Sequence, residues 1–119
     1  MDDDDISVQY RFEKQLDIFK KFPDISVVGG WQQHFGNSDW LHAPYETPNE
    51  MKASLIFRCD VCHSVVMFKK SDFLENDLFY DPKRISEDYD LWVRASYKKL
   101  KFYTIQEILG FYRIDGSNI

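Results

Sequence analysis

Long hydrophobic runs are missing from this 119-residue chain. No apolar stretch approaches the ~18 residues a membrane-spanning helix requires. Cysteine is scarce: two residues are too few for a disulfide scaffold. Glycine and proline, at five and four, are sparse as well. No low-complexity linker or internal repeat divides the chain, so one domain is expected. Basic residues are the minority, 15 against 20 acidic, which leaves a net charge of -5. Duplex recognition needs a basic face, so no nucleic-acid partner is expected. A basic leader is absent too, since the chain opens Met1-Asp2-Asp3-Asp4-Asp5. What is present is a core-forming composition, 44% hydrophobic and 17% aromatic. It suits a cytoplasmic or membrane-peripheral protein.

Hydrophobic spacing and turn residues predict a mixed α/β order. Ser7 is placed to cap a helix whose stripe is Val8, Phe12, Leu16 and Phe19, stopped by Phe22-Pro23-Asp24. Ile25–Val28 reads as a buried strand that Gly29-Gly30 ends or bends and Trp31–Phe35 continues. Residues 36–46 read as loop. Thr47-Pro48-Asn49-Glu50 is a capping box with proline in the first turn, opening a helix to about Phe57. A strand over Ser64–Lys69 and a short helix over Ser71–Asn76 follow, then irregular chain over 77–87. A further helix runs to about Lys99. Two strands close the chain, Phe102–Ile105 and Ile108–Ile114.

Four constellations carry chemistry. Asp2–Asp5 offers the oxygen donors that hard divalent cations take. An EF-hand does not fit, because Ile6 falls at a ligand position and Ser7 where glycine is needed. Carboxylate clusters that bind ligands in α/β folds usually follow a strand. None precedes this one, so the run is either a solvated tail or the first residues of a chain that starts mid-domain. Cys59-Asp60-Val61-Cys62-His63 has the spacing of haem attachment. It lacks an export signal and a following helix, and zinc would need a second ligand pair. Two buried free thiols are the expectation. Glu87-Asp88-Tyr89-Asp90 sets three carboxylates beside Leu91 and Trp92. Asp88 is there either a helix cap or a general base. Arg113, leaving a strand into Asp115-Gly116-Ser117-Asn118, suits a phosphate or sugar, or is a surface residue.

Taken in order, these pieces resemble the family 2 glycosyltransferases of GT-A fold. Met1–Ser7 with Arg11 and Gln15 is similar to the family's Asp-x-Asp segment, and Asp24–Gly30 to its following strand. His63–Lys70 is similar to its acceptor-side segment. Glu87–Arg94 matches its Glu-Asp-x-Asp-x-Trp motif, and Tyr112–Asn118 its terminal segment. The resemblance implies an α/β, GT-A-like mixed sheet flanked by helices, with the N-terminal nucleotide-binding half missing. Residues 1–119 would then form one partial catalytic domain, its acceptor-side half.

The implied activity is metal-dependent, inverting transfer of a sugar from a nucleoside-diphosphate sugar, with a UDP-sugar as the family-based guess. The acceptor would be a glycan or lipid-linked hydroxyl, in polysaccharide biosynthesis. Asp2 and Asp4 would bind Mg²⁺ or Mn²⁺, and Asp88 would be the general base. Glu87 would orient the acceptor, and Tyr112 and Arg113 would lie near the diphosphate. Asp5, His63 and Asp115 are secondary candidates; Asp115 stands where many members carry histidine. The alternative is a catalytically silent fragment or binding module needing a partner chain. The resemblance also implies a cytoplasmic location, with the inner membrane face as a peripheral site. Its missing strands would leave open sheet edges, so the isolated chain is expected to associate.

Overall fold

A computed structural model describes residues 2–116. Met1 and Ser117 to Ile119, which carry the ends of the first and last matching segments, lie outside the described residues.

The elements run β1 (Ile6–Ser7), α1 (Arg11–Lys21), β2 (Ile25–Gly36), β3 (Leu41–His42) and α2 (Pro48–Leu55). A 3₁₀ turn (His63–Val65) leads into β4 (Met67–Phe68), α3 (Lys70–Glu75), α4 (Glu87–Tyr97) and β5 (Lys101–Ile114). The sheet order is β1-β5-β2-β3, with β4 also on β2. β2 and β5 are parallel, and every other pairing is antiparallel. This is a mixed sheet flanked by helices. Alternation along β2 and β5 directs side chains to both faces. Val27 and Phe102 pack with Met51, Leu55, Phe73, Leu91 and Trp92 from α2, α3 and α4. Val28, Ile105 and Leu109 pack with Val65 on the other side, where Ile18 and Phe19 of α1 join them.

Several elements differ from the sequence reading. α1 begins at Arg11, with Ile6-Ser7 drawn into a strand against Phe111 and Gly110. Only the ends of the predicted apolar stripe face the core: Val8 and Phe19 pack there, whereas Phe12 and Leu16 are exposed and Arg11 and Gln15 are buried in their place. Hydrogen-bond demand explains that exchange. The Gln15 amide donates to the carbonyls of Val28 (3.0 Å) and Val65 (2.7 Å), and Arg11 donates to Ser64 O (3.2 Å). A buried carbonyl needs a donor more than an exposed phenylalanine needs cover.

Gly29-Gly30 does not break β2, although the register against β5 shifts at Gly30/Trp31. A methyl group at Gly30 would overlap Leu109, so the glycine admits close strand packing. β5 is one strand rather than two, and β3 lies within the expected loop. Most of Ser64–Lys69 is turn, with only Met67-Phe68 paired. The capping box is as read, with Glu50 N donating to Thr47 Oγ1 and the Glu50 carboxylate reaching back. Its helix stops at Leu55, two residues early. Among the described residues, no helix is long and apolar enough to cross a membrane.

Candidate functional site

Strand register explains why distant residues meet. β1 pairs antiparallel to β5 with Ile6 opposite Phe111, so the aspartates before β1 lie alongside Tyr112 and Arg113. His34 of β2 is opposite Tyr112, and in the row two residues back on β2, Gln32 lies between Gly110 of β5 and His42 of β3. The acidic cluster therefore sits at the C-terminal ends of the parallel pair, where α/β sheets bind ligands.

A cleft of about 290 Å³ opens there, lined by Asp2, Asp5, His63, Asp88 and Tyr112 among others. These five sequence candidates come together from four separate segments. The 2–5 turn is closed by Asp5 N donating to Asp2 O (3.1 Å), and Asp5 Oδ1 accepts from Arg113 N (3.2 Å). Asp4 is not among the lining residues; it faces the Arg113 guanidinium at 3.7 Å. That guanidinium lies 4.5 Å from the Phe35 ring centroid. Glu87 is exposed at the first position of α4 and does not line the cleft, and neither does Asp115 beyond β5.

Asp88 occupies the first turn of α4. The next turn of α4 is anchored by Trp92, fully buried between Phe73 and Phe102. Tyr89 OH donates to Leu55 O at 2.7 Å, tying α4 to α2. The position of Asp88 is thus set by packed rings rather than by a mobile loop. Burial first, then the Asp88 and Glu87 carboxylates, push the Tyr80 phenol up from its ordinary pKa. Tyr80 meets His63 edge-on at 5.8 Å, so it stays neutral against the cleft wall.

The sequence reading missed a second set of lining residues: Gln32, His42, Cys62 and Ser64. Gln32 donates from its amide to Ser64 Oγ. The Asp60 carboxylate is fully buried and accepts from Ser54 Oγ (2.5 Å). Its other oxygen lies 3.1 Å from His42 Nε2. His42 Nδ1 is 3.3 Å from Cys62 Sγ. Burial above all, and then Asp60, push the Cys62 thiol far above its ordinary range. A protonated thiol donates to Nδ1, which assigns the proton on Nε2 to the bond with Asp60. Cys62 is the buried thiol expected, whereas Cys59 is half-buried. No periodicity signals this network, whose members are 18 and 20 residues apart in sequence.

Among the described residues, no three His, Cys, Asp or Glu side chains are grouped to hold a metal ion by themselves. Asp2 offers its carboxylate to the cleft, whereas the Asp4 carboxylate faces Arg113. Hard divalent cations commonly take one or two carboxylates and complete their shell with phosphate oxygens and water.

The chain is similar to glycosyltransferases. It is 30% identical over its whole length to an uncharacterised glycosyltransferase of Haemophilus influenzae, spanning 45% of that relative. It is 32% identical to one of Methanocaldococcus jannaschii, over 99% of this chain and 42% of the relative. The O-antigen biosynthesis glycosyltransferase WbnJ of Escherichia coli is also 32% identical, over 99% of this chain and 47% of its own length. The chain thus spans a little under half the length of the curated relatives it matches. No family model matches it.

Proposed function

We propose that this chain is the acceptor-side part of a family 2, GT-A-type glycosyltransferase. It transfers a sugar from a nucleoside-diphosphate sugar to an acceptor hydroxyl with inversion. The observation that carries the reading is convergence: Asp88 and, far from it in sequence, Asp2 and Asp5 line one cleft at the ends of β2 and β5. The named function of the relatives supports it, one of them in O-antigen biosynthesis.

In-line displacement needs a base for the acceptor proton and positive charge at the leaving diphosphate. Asp88 takes the proton, held at the helix start beside the acceptor side of the cleft. Glu87, one residue before it and exposed, orients the acceptor from the rim. Arg113 offsets charge on the diphosphate, with its backbone held by Asp5 and Tyr112 beside it. Asp2 and Asp4 would hold Mg²⁺ or Mn²⁺, which when bound supplies further positive charge to the diphosphate. His63 borders the acceptor. The donor is a UDP-sugar in this reading, and the acceptor a glycan or lipid-linked glycan. The remaining half of the relatives' length is where the nucleotide base would be held.

Calorimetric titration with UDP in the presence of Mn²⁺ tests the donor side. Asp2→Asn and Asp4→Asn should each weaken UDP about tenfold or more, as loss of a cation ligand does, and Asp88→Asn should bind it as the unaltered protein does. Equal weakening by all three would contradict the division of roles. UDP binding without transfer would favour the alternative, a silent binding module that needs a partner chain.

A further inference from the structure

One aromatic side chain at this end of the sheet has no role in the scheme above. Trp40 is 56% exposed, yet its ring is held in place. The His42 imidazole stacks on it, with centroids 5.1 Å apart and planes 18° from parallel. His34 meets it edge-on at 5.2 Å. Both supports are themselves fixed. His42 is held at both nitrogens, by Asp60 and Cys62. His34 sits on β2 against Tyr112 at 5.5 Å, and its backbone N–H donates to Trp40 O at 2.9 Å. Burial, and then His42, lower the His34 pKa, so it packs as a neutral ring. Exposed large side chains normally keep rotamer freedom that binding must then remove. An indole fixed before binding avoids that cost.

Register places this ring relative to the chemistry. Tyr112 of β5, His34 of β2 and Trp40, the residue before β3, form one row, and the Asp2–Asp5 turn begins the row beside β1. Three strand spacings separate the first and last members, roughly 14 Å. Trp40 does not itself line the cleft; it stands at the opposite end of this row from the carboxylates assigned to the diphosphate. His42, directly under its ring, lines that cleft. In the segment that carries the ring, Ser38 Oγ accepts from the Trp40 backbone N–H and Asp39 is exposed. An exposed flat apolar face on a polar segment complements a pyranose, which offers axial C–H bonds on one face and hydroxyls at its edge.

We infer that Trp40 is a preformed platform for a sugar ring of the acceptor, so that the acceptor is a glycan whose terminal or penultimate residue stacks there. This rests on the glycosyltransferase reading for the word acceptor, but not for the binding of a sugar. Asp60, His42 and Cys62 are positioning residues for the platform.

The test follows the indole N–H resonances of Trp31, Trp40 and Trp92 by NMR, assigned with Trp31→Phe and Trp40→Phe variants. Methyl glycosides of glucose, galactose, N-acetylglucosamine and N-acetylgalactosamine are titrated separately, and UDP in parallel. The expected result is a saturable shift of the Trp40 resonance by at least one glycoside, with buried Trp92 unmoved. Trp40→Ala should weaken that glycoside about tenfold, in keeping with the loss of one stacked ring, and Trp40→Phe much less. The inference is overturned if no glycoside shifts Trp40, if UDP alone does, or if Trp40→Ala binds the glycoside as tightly as the unaltered chain. Turnover separates the two readings. A glycoside that binds Trp40 with no Asp88-dependent transfer would sink the enzyme reading and leave the platform standing. Where transfer occurs, Trp40→Ala should raise the acceptor KM about tenfold and leave the donor KM within about twofold.

Discussion

Replacing Asp60 with alanine withdraws one carboxylate from three donors at once. Ser54 Oγ and His42 Nε2 lose their acceptor on the buried side; both residues are half-buried, so water replaces only part of it. Each unsatisfied donor costs about 1–3 kcal/mol, and these two fall toward the low end of that range. Arg58, 3.4 Å away but 63% exposed, turns to solvent and contributes about 0–1 kcal/mol. The loss is then about 3 kcal/mol, and with a urea m-value near 2 kcal/mol/M the midpoint falls by about 1.5 M. Asp60→Asn keeps the shape and one acceptor and should lose about half as much. Urea unfolding followed by far-ultraviolet circular dichroism reads both. A double-mutant cycle adds the specific check: Ser54→Ala should cost far less in the Asp60→Ala background than alone. An Asp60→Ala midpoint within about 0.3 M of the parent, given the m-value above, would refute the account of this network.

Other outcomes follow from the same contacts. Cys62 should resist Ellman's reagent at pH 8 in the folded chain and react once urea unfolds it, because burial holds its thiol protonated; rapid native labelling at Cys62, located by peptide mapping, would contradict this. Gly30→Ala should destabilise by about 1–3 kcal/mol, because the added methyl group meets Leu109. Gly29→Ala should be far milder, with Thr104 Oγ1 as its nearest neighbour at 3.9 Å; equal thermal shifts for the two would refute the packing argument. For His34, burial lowers the folded pKa, so below the ordinary value of about 6.5 the unfolded chain binds more protons than the folded one. Its contribution to stability is therefore lost as pH falls from about 6.5 toward that depressed value. His34→Phe should flatten this part of the stability–pH curve, and an unchanged slope would speak against it.

The parts legible in sequence were those set by local chemistry. Thr47 and Glu50 announce a helix start because both halves of a capping box lie within four residues. Asp88 was placed at a helix start because an acidic triplet precedes Leu91 and Trp92. What depended on distant partners was not legible. The apolar spacing of Val8, Phe12, Leu16 and Phe19 was right only at its ends, where Val8 and Phe19 pack on the core; between them the carbonyls of Val28, Ser64 and Val65 recruit Arg11 and Gln15 and leave Phe12 and Leu16 exposed. Asp60 and Cys62 read as parts of one short motif, but nothing linked them to His42 until the β2–β3 pairing set that ring beside them. Gly29-Gly30 looked like an interruption because its purpose, admitting Leu109, lies on another strand.

The central claim is that Asp88 removes the acceptor proton in a cleft that also holds the donor diphosphate. Mass-spectrometric detection of sugar transfer from a panel of UDP-sugars to the four methyl glycosides, in Mn²⁺, tests it most directly. The account predicts transfer by the unaltered protein and a loss of at least about a hundredfold in Asp88→Asn, with UDP affinity unchanged. Transfer by Asp88→Asn at the parent rate would contradict it.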